Sequence, residues 1–252
     1  MRTIAAVWIL SVVFLMTAGA VAQSVSPDVE ALIREIDDLY RSSSSYSEME
    51  MEVITPHWQR TLSMKVWTEG LDHTLVRILS PKKEQGVGTL RVANEMWNYL
   101  PKTNKVIKVP PSMMMSSWMG SDFTNDDLVK EFSLFEDYSH ELIRPDSARD
   151  DLLYVRSVPR PDLPIVWGSI VTAVRSGDHI PLWQKYYDEH GQTMRVLQYS
   201  DVKQFGERRI PAVMEMVPLN KEGHKTIVRY SLIEFDAELE SDIFSLRNLQ
   251  SP

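Results

Sequence analysis

From Val29 onward, apolar residues recur every third or fourth position: Val29, Leu32, Ile33, Ile36, Leu39 and Tyr40, with Glu30, Arg34, Glu35 and Asp37 between them. That spacing lays one apolar stripe along a helix. Ser26-Pro27-Asp28 supplies its start, with serine as N-cap, proline at the first helical position and an acid in the first turn. The pattern fades near Arg41, and Ser42 to Ser45 reads as a turn. The period then changes to two. In Glu48-Met49-Glu50-Met51-Glu52-Val53 acid and apolar residue alternate, which puts Met49, Met51 and Val53 on one strand face and the acids in water.

Leu62, Met64 and Val66 continue the same rhythm, and strand-like stretches follow at 74–79, 88–93, 96–100, 105–109, 152–158, 166–174, 182–188, 193–201, 212–217 and 225–235. Glu69-Gly70, Pro101 to Asn104, Glu189-His190-Gly191 and Asn220 to Gly223 are the turns between several of them. Thr124-Asn125-Asp126-Asp127 has the spacing of a capping box, with Leu128, Val129 and Phe132 as the apolar side of a short helix. About a dozen short strands with few helices predict a mainly β (α+β) chain, an antiparallel sheet closed or half closed on itself. No linker or internal repeat divides residues 23–252, so one domain is expected there.

The first 22 residues are set apart. One arginine, an apolar run from Ile4 to Ala20 and the small-residue triplet Ala20-Val21-Ala22 have the layout of a secretory signal cleaved before Gln23. The run is at the short end of the roughly 17–25 residues that a membrane-spanning helix needs. The expectation is a soluble, exported, periplasmic protein. Lys and Arg number 27 against 35 Asp and Glu, a formal charge of −8 with no basic block. That argues against nucleic acid as a partner, since phosphate binding needs clustered cations. The chain has no cysteine, which excludes disulfides, thiolate nucleophiles and iron–sulfur ligation.

Catalytic signatures are sparse. The six histidines, at 57, 73, 140, 179, 190 and 224, form no short-spaced pair of the kind that binds zinc. Gly86-Val87-Gly88 reads as a bend before a strand rather than a phosphate cradle. Neither cofactor nor metal is expected. Acids are plentiful, so paired carboxylates of a hydrolase remain an alternative, although most alternate with apolar residues as a solvated strand face would.

Residues 96–123 stand out. They hold five of the thirteen methionines and two of the seven tryptophans. Pro110-Pro111 stops a strand, and the apolar stretch after it has neither strand nor helix period. Such a segment either fills gaps in a core or offers an adaptable surface to an apolar ligand, because methionine is flexible and polarizable. The serines at 112, 116 and 117 and Gly120 free it from a sheet.

The stretches Trp97-Asn98-Tyr99-Leu100-Pro101, Val106-Ile107-Lys108-Val109-Pro110 and Ser117-Trp118-Met119-Gly120-Ser121-Asp122-Phe123, with Asp127-Leu128 and the Lys82-Lys83-Glu84-Gln85-Gly86 approach, resemble the outer-membrane lipoprotein-sorting protein family, periplasmic relatives of the LolA and LolB carriers. The likeness runs from about Ser47 to Leu246. It implies a strongly curved antiparallel sheet, an unclosed β-barrel, with the N-terminal helix and short helices over its concave apolar side. It also implies a non-enzymatic carrier of lipoprotein acyl chains or other lipids, monomeric and served by an inner-membrane transporter of the ABC or RND type. The chain is longer than a typical LolA carrier and lacks the lipidated cysteine of LolB. An exporter's accessory module that binds no lipid is a further alternative. On this reading Met113, Met114, Met115 and Met119 belong to a movable cover or mouth of the lipid cavity, with Trp97, Tyr99, Trp118 and Phe123 as wall or rim.

Overall fold

The computed structural model describes residues 28–129, 134–163 and 165–250; the expected signal segment, Ser26 and Phe132 lie outside them. Helix α1 (Val29–Asp37) buries Leu32, Ile33 and Ile36. Its N-cap is Asp28, whose Oδ1 accepts from the backbone N–H groups of Glu30 and Ala31 at 3.1 and 3.3 Å, so the helix starts later than the Ser-Pro pair suggests. It also ends before Arg41. Leu39 and Tyr40 leave the helical stripe and pack against Phe205, Ile210, Ala212 and Ile233.

Six strands then meander: β1 (Ser44–Ile54), β2 (Gln59–Glu69), β3 (His73–Ser80), β4 (Gly88–Val92), β5 (Glu95–Leu100) and β6 (Lys105–Lys108). The chain crosses over through α2 (Asn125–Val129) and α3 (Leu134–Asp137) to seven more strands. These are β7 (Tyr138–Ile143), β8 (Leu152–Pro159), β9 (Ser169–Arg175), β10 (Pro181–Tyr187), β11 (Thr193–Phe205), β12 (Arg208–Pro218) and β13 (Lys225–Phe235). All form one sheet, ordered β6-β5-β4-β3-β2-β1-β13-β12-β11-β10-β9-β8-β7. Each neighbouring pair is antiparallel. β6 and β7 are its two edges and do not pair, so the curved sheet is an unclosed barrel.

Three strands differ from the sequence pattern. β7 is hidden in the sequence because only Tyr138 is buried and the next three residues of this edge strand are Ser-His-Glu; an edge strand needs little apolar alternation. β11 and β12 extend to a two-residue turn at Gly206-Glu207, past Asp201 and through Pro211, both of which look like breaks in the sequence.

Strand alternation sorts the core onto two faces. On the inner face Met51, Leu62, Met64, Val76, Ile78, Met96 and Val228 pack with Val109 and Trp118 of the crossing segment. Towards the β7 end, α1 and α3 rest on Tyr138, Val155, Ile170 and Val174. On the outer face, Leu75, Leu90 and Tyr99 pack with Ile243 and Leu249 of the C-terminal segment and its helix α4 (Leu246–Leu249).

Candidate binding hollow

Between the sheet, α1 and the crossing segment lies a hollow of about 450 Å³, within the range of about 300–1,000 Å³ typical of small-molecule sites. Its two sides differ in chemistry. One is made by the inward positions of the central strands: Met49 and Met51 of β1, Met64 and Val66 of β2, Met214 and Met216 of β12, and Val228 of β13. Period two is what brings these methionines together. The β1–β13 register shifts between Glu48 and Met49, and this bulge lets Tyr230 and Ile233, three residues apart, both line the hollow.

The other side belongs to β7, β10 and β11. Tyr186 and Tyr199 donate their hydroxyl protons to Gln184 Oε1 at 3.1 and 2.9 Å. Arg195 lies over the rings of both Trp167 and Tyr186, its guanidinium carbon 4.4 Å from each centroid. Its two Nη groups donate to the Asp127 carboxylate at 2.8 and 2.7 Å, a bidentate geometry that pairs charge and direction together. Asp127 is also the capping-box acid of α2. Its Oδ2 accepts from Thr124 N and Oγ1 at 2.8 and 2.9 Å while Thr124 Oγ1 accepts from Asp127 N at 3.1 Å. One carboxylate thus starts the helix and ties it to β11.

Burial alone would push the Asp127 carboxyl up. The hydrogen bonds and charge of Arg195, with those from Thr124, outweigh it and hold the group below its ordinary value. Burial opposes the charge on Arg195 as well, and Asp127 more than restores it. The Tyr186 and Tyr199 phenols are pushed up by burial and stay protonated donors. The other carboxylate lining the hollow, Asp37, pairs with Arg41 at 3.3 Å. Among the described residues no group of three or more His, Asp or Glu is placed to hold a metal ion.

The crossing segment brings some of the expected site residues here and not others. Trp118 is buried, lines the hollow and donates from Nε1 to Thr89 Oγ1 at 3.1 Å; Thr89 in turn donates to Asn98 at 2.7 Å. Phe123 lines the hollow too, and its carbonyl accepts from Trp118 N at 2.8 Å. The tight loop between them needs Met119 and Gly120 at φ +50° and +72°, a region glycine enters freely; the Arg60 guanidinium holds the Met119 carbonyl. Met114 and Met119 pack beside Trp118, whereas Met113 and Met115 are 51% and 50% exposed.

Trp97 and Tyr99 do not line the hollow. Met96 takes the inward position of β5, so the two aromatics point outward and pack with Leu249 and Ile243. Four apolar residues in the five-residue run Met96–Leu100 leave either face open to be the core, and it is the C-terminal covering that occupies the outer one. Tyr138, Gln184 and Arg195 were missed as lining residues. For Arg195 a signal existed: it falls in phase with Leu197 and Tyr199, so β11 must carry it inward.

A family model described as uncharacterized protein-like matches residues 70–251, and the chain belongs to that family. No curated protein matches it. Among solved structures, a DUF1329 family protein from Desulfovibrio piger superposes with a TM-score of 0.77 at 22% identity, covering 87% of this chain and 97% of its own. A putative outer membrane lipoprotein-sorting protein domain from Vibrio parahaemolyticus gives 0.74 at 20%, covering 88% and 98%. A LolA superfamily protein from Nitrosomonas europaea gives 0.72 at 18%, covering 87% and 98%. The fold expected from the sequence is the fold these proteins share.

Proposed function

We propose that this member of the family is a periplasmic, non-enzymatic carrier that holds an acyl chain of a lipoprotein or other lipid in the hollow and passes it between an inner-membrane transporter and the outer membrane. The supporting observation is a methionine-lined space of about 450 Å³ on the inner face of an unclosed sheet. A chain placed there gains roughly 0.8 kcal/mol per buried CH₂, and uncovering the hollow consumes part of that, so the ligand can be released. No covalent step is needed. The two carboxylates lining the space are each tied to an arginine rather than facing each other as a catalytic pair. The signal-like N-terminus fits export, and no helix among the described residues is long and apolar enough to cross a membrane.

In this reading Trp118 and Phe123 are the wall of the hollow, and the segment from Met113 to Met119 is its cover. Trp97 and Tyr99 support the sheet from behind. The test is lipid extraction and native mass spectrometry of protein purified from the periplasm, together with titration of a fluorescent acyl probe. Co-purified lipid and saturable uptake are expected. Met214→Glu, which places a charge in the methionine side, should weaken uptake at least about tenfold, a factor worth roughly 1.4 kcal/mol. A lipid-free protein that takes up no probe would overturn the proposal.

A further inference from the structure

The methionine side of the hollow offers an acyl chain no polar contact, whereas the side made by β7, β10 and β11 carries hydrogen-bonding groups of very different status. Tyr40, Tyr186 and Tyr199 each donate their phenol proton within the protein, Tyr40 to the Pro211 carbonyl at 2.7 Å and the other two to Gln184. Tyr138 also lines the hollow and is 2% exposed, yet its hydroxyl has no hydrogen-bond partner among the described residues. That hydroxyl is not among the fully buried side-chain atoms without a partner, so it is open to the hollow, where an acceptor carried in by a ligand can take the place of water.

The surroundings of Tyr138 define that acceptor. Tyr186, Asp137, Arg195 and Asp127 lie close enough to act on its ionisation, and Arg195 and Asp127 are joined bidentately to each other. Bidentate pairing leaves this end of the hollow with a donor, the Asp137 carboxylate and no cation left over to receive an anion. An uncharged acceptor pays little desolvation on entering such a place, whereas a free carboxylate or phosphate would have to compete with Asp127 for Arg195.

We infer that Tyr138 is a specificity-determining residue, donating a hydrogen bond to the uncharged ester or amide carbonyl at the head of an acyl chain whose tail lies along Met49, Met51, Met214 and Met216. The inference rests on the carrier reading and names the part of the ligand that the hollow selects.

The test compares three probes of equal chain length on the full exported protein: monopalmitoylglycerol, hexadecylglycerol ether, which lacks the carbonyl, and palmitate. Affinities are read by displacement of a fluorescent acyl probe. The wild-type protein should prefer the ester over both others. Tyr138→Phe should lose about tenfold in affinity for the ester and little for the ether. Because the hydroxyl bonds nothing in the protein, the same variant should keep or gain thermal stability, which a structural role for the hydroxyl would not allow. Equal affinity for ester and ether, a preference for palmitate, or a Tyr138→Phe variant that weakens all probes alike would overturn the inference while leaving the carrier reading in place. A protein that binds none of the probes would remove both.

Discussion

On the outer face of the sheet, Leu239, Ile243, Phe244 and Leu249 lie against Leu75, Leu90, Tyr99, Trp67 and Trp97 with no room to spare. A Cβ built on Gly88 would stand 2.7 Å from Leu249 Cδ1. On the inner face the crossing segment, equally irregular, packs Trp118 into the core but leaves about 450 Å³ beside it. Both coverings are tied to the sheet by hydrogen bonds: Arg77 donates to the Asn248 carbonyl at 2.8 Å outside, and Asp122 N donates to Thr226 Oγ1 at 2.9 Å inside. The difference teaches that irregular chain can pack closely on this sheet, as it does outside β3, β4 and β5. The inner space is a property of its lining, with adaptable methionines on one side and a rigid polar cluster on the other.

That contrast can be broken most strongly at the polar cluster. Asp127→Ala leaves Arg195 buried without its partner and should cost about 4 kcal/mol in denaturant unfolding, with acyl uptake falling as α2 loosens. The pH dependence carries the same information. Asp127 is held below its ordinary value of 3.8, so its contribution is complete above that value and is lost as the pH falls through the lowered one. An acid unfolding limb unchanged by the substitution would contradict this.

The outer covering comes next. Leu249→Ala empties a fully buried site and should cost about 3 kcal/mol by the same measurement, yet leave acyl uptake in the folded protein unchanged. Reduced uptake would mean that the two faces are coupled. A smaller effect is expected from changing Met113, Met114 and Met115 together to serine. Two of the three are half exposed, so the loss should stay below about 2 kcal/mol while uptake drops; undiminished uptake would remove this segment from the cover.

The smallest effect concerns His140, under α3. Burial lowers it below its ordinary 6.5, with Ser157 Oγ 2.9 Å from Nδ1. The folded state therefore favours the neutral ring. Stability should be full above about pH 6.5 and decline as the pH falls towards the lowered value, and His140→Gln should flatten that slope.

Much of this molecule was legible from local pattern. Met49, Met51 and Val53 share a face as the alternation says, and Thr124 and Asp127 form the reciprocal cap their spacing announces. The start of α1 was less so, because Ser26 and Asp28 are equally good caps by type. β7 escaped because an edge strand buries so little.

What the sequence determined by itself is whatever depends on neighbours along the chain: helix stripe, strand alternation, turns, the stop at Pro110-Pro111, and through these a curved antiparallel sheet. What only the tertiary structure decided is which apolar face would be inside. Met96 and Trp97 are both apolar, and period two can separate them but not orient them; the C-terminal segment, some 150 residues away in the chain, settles it by covering Trp97 and Tyr99. The Asp127–Arg195 pair is of the same kind, joined across 68 positions. No local rule pairs those charges, because their attraction becomes decisive only when folding has taken both out of water.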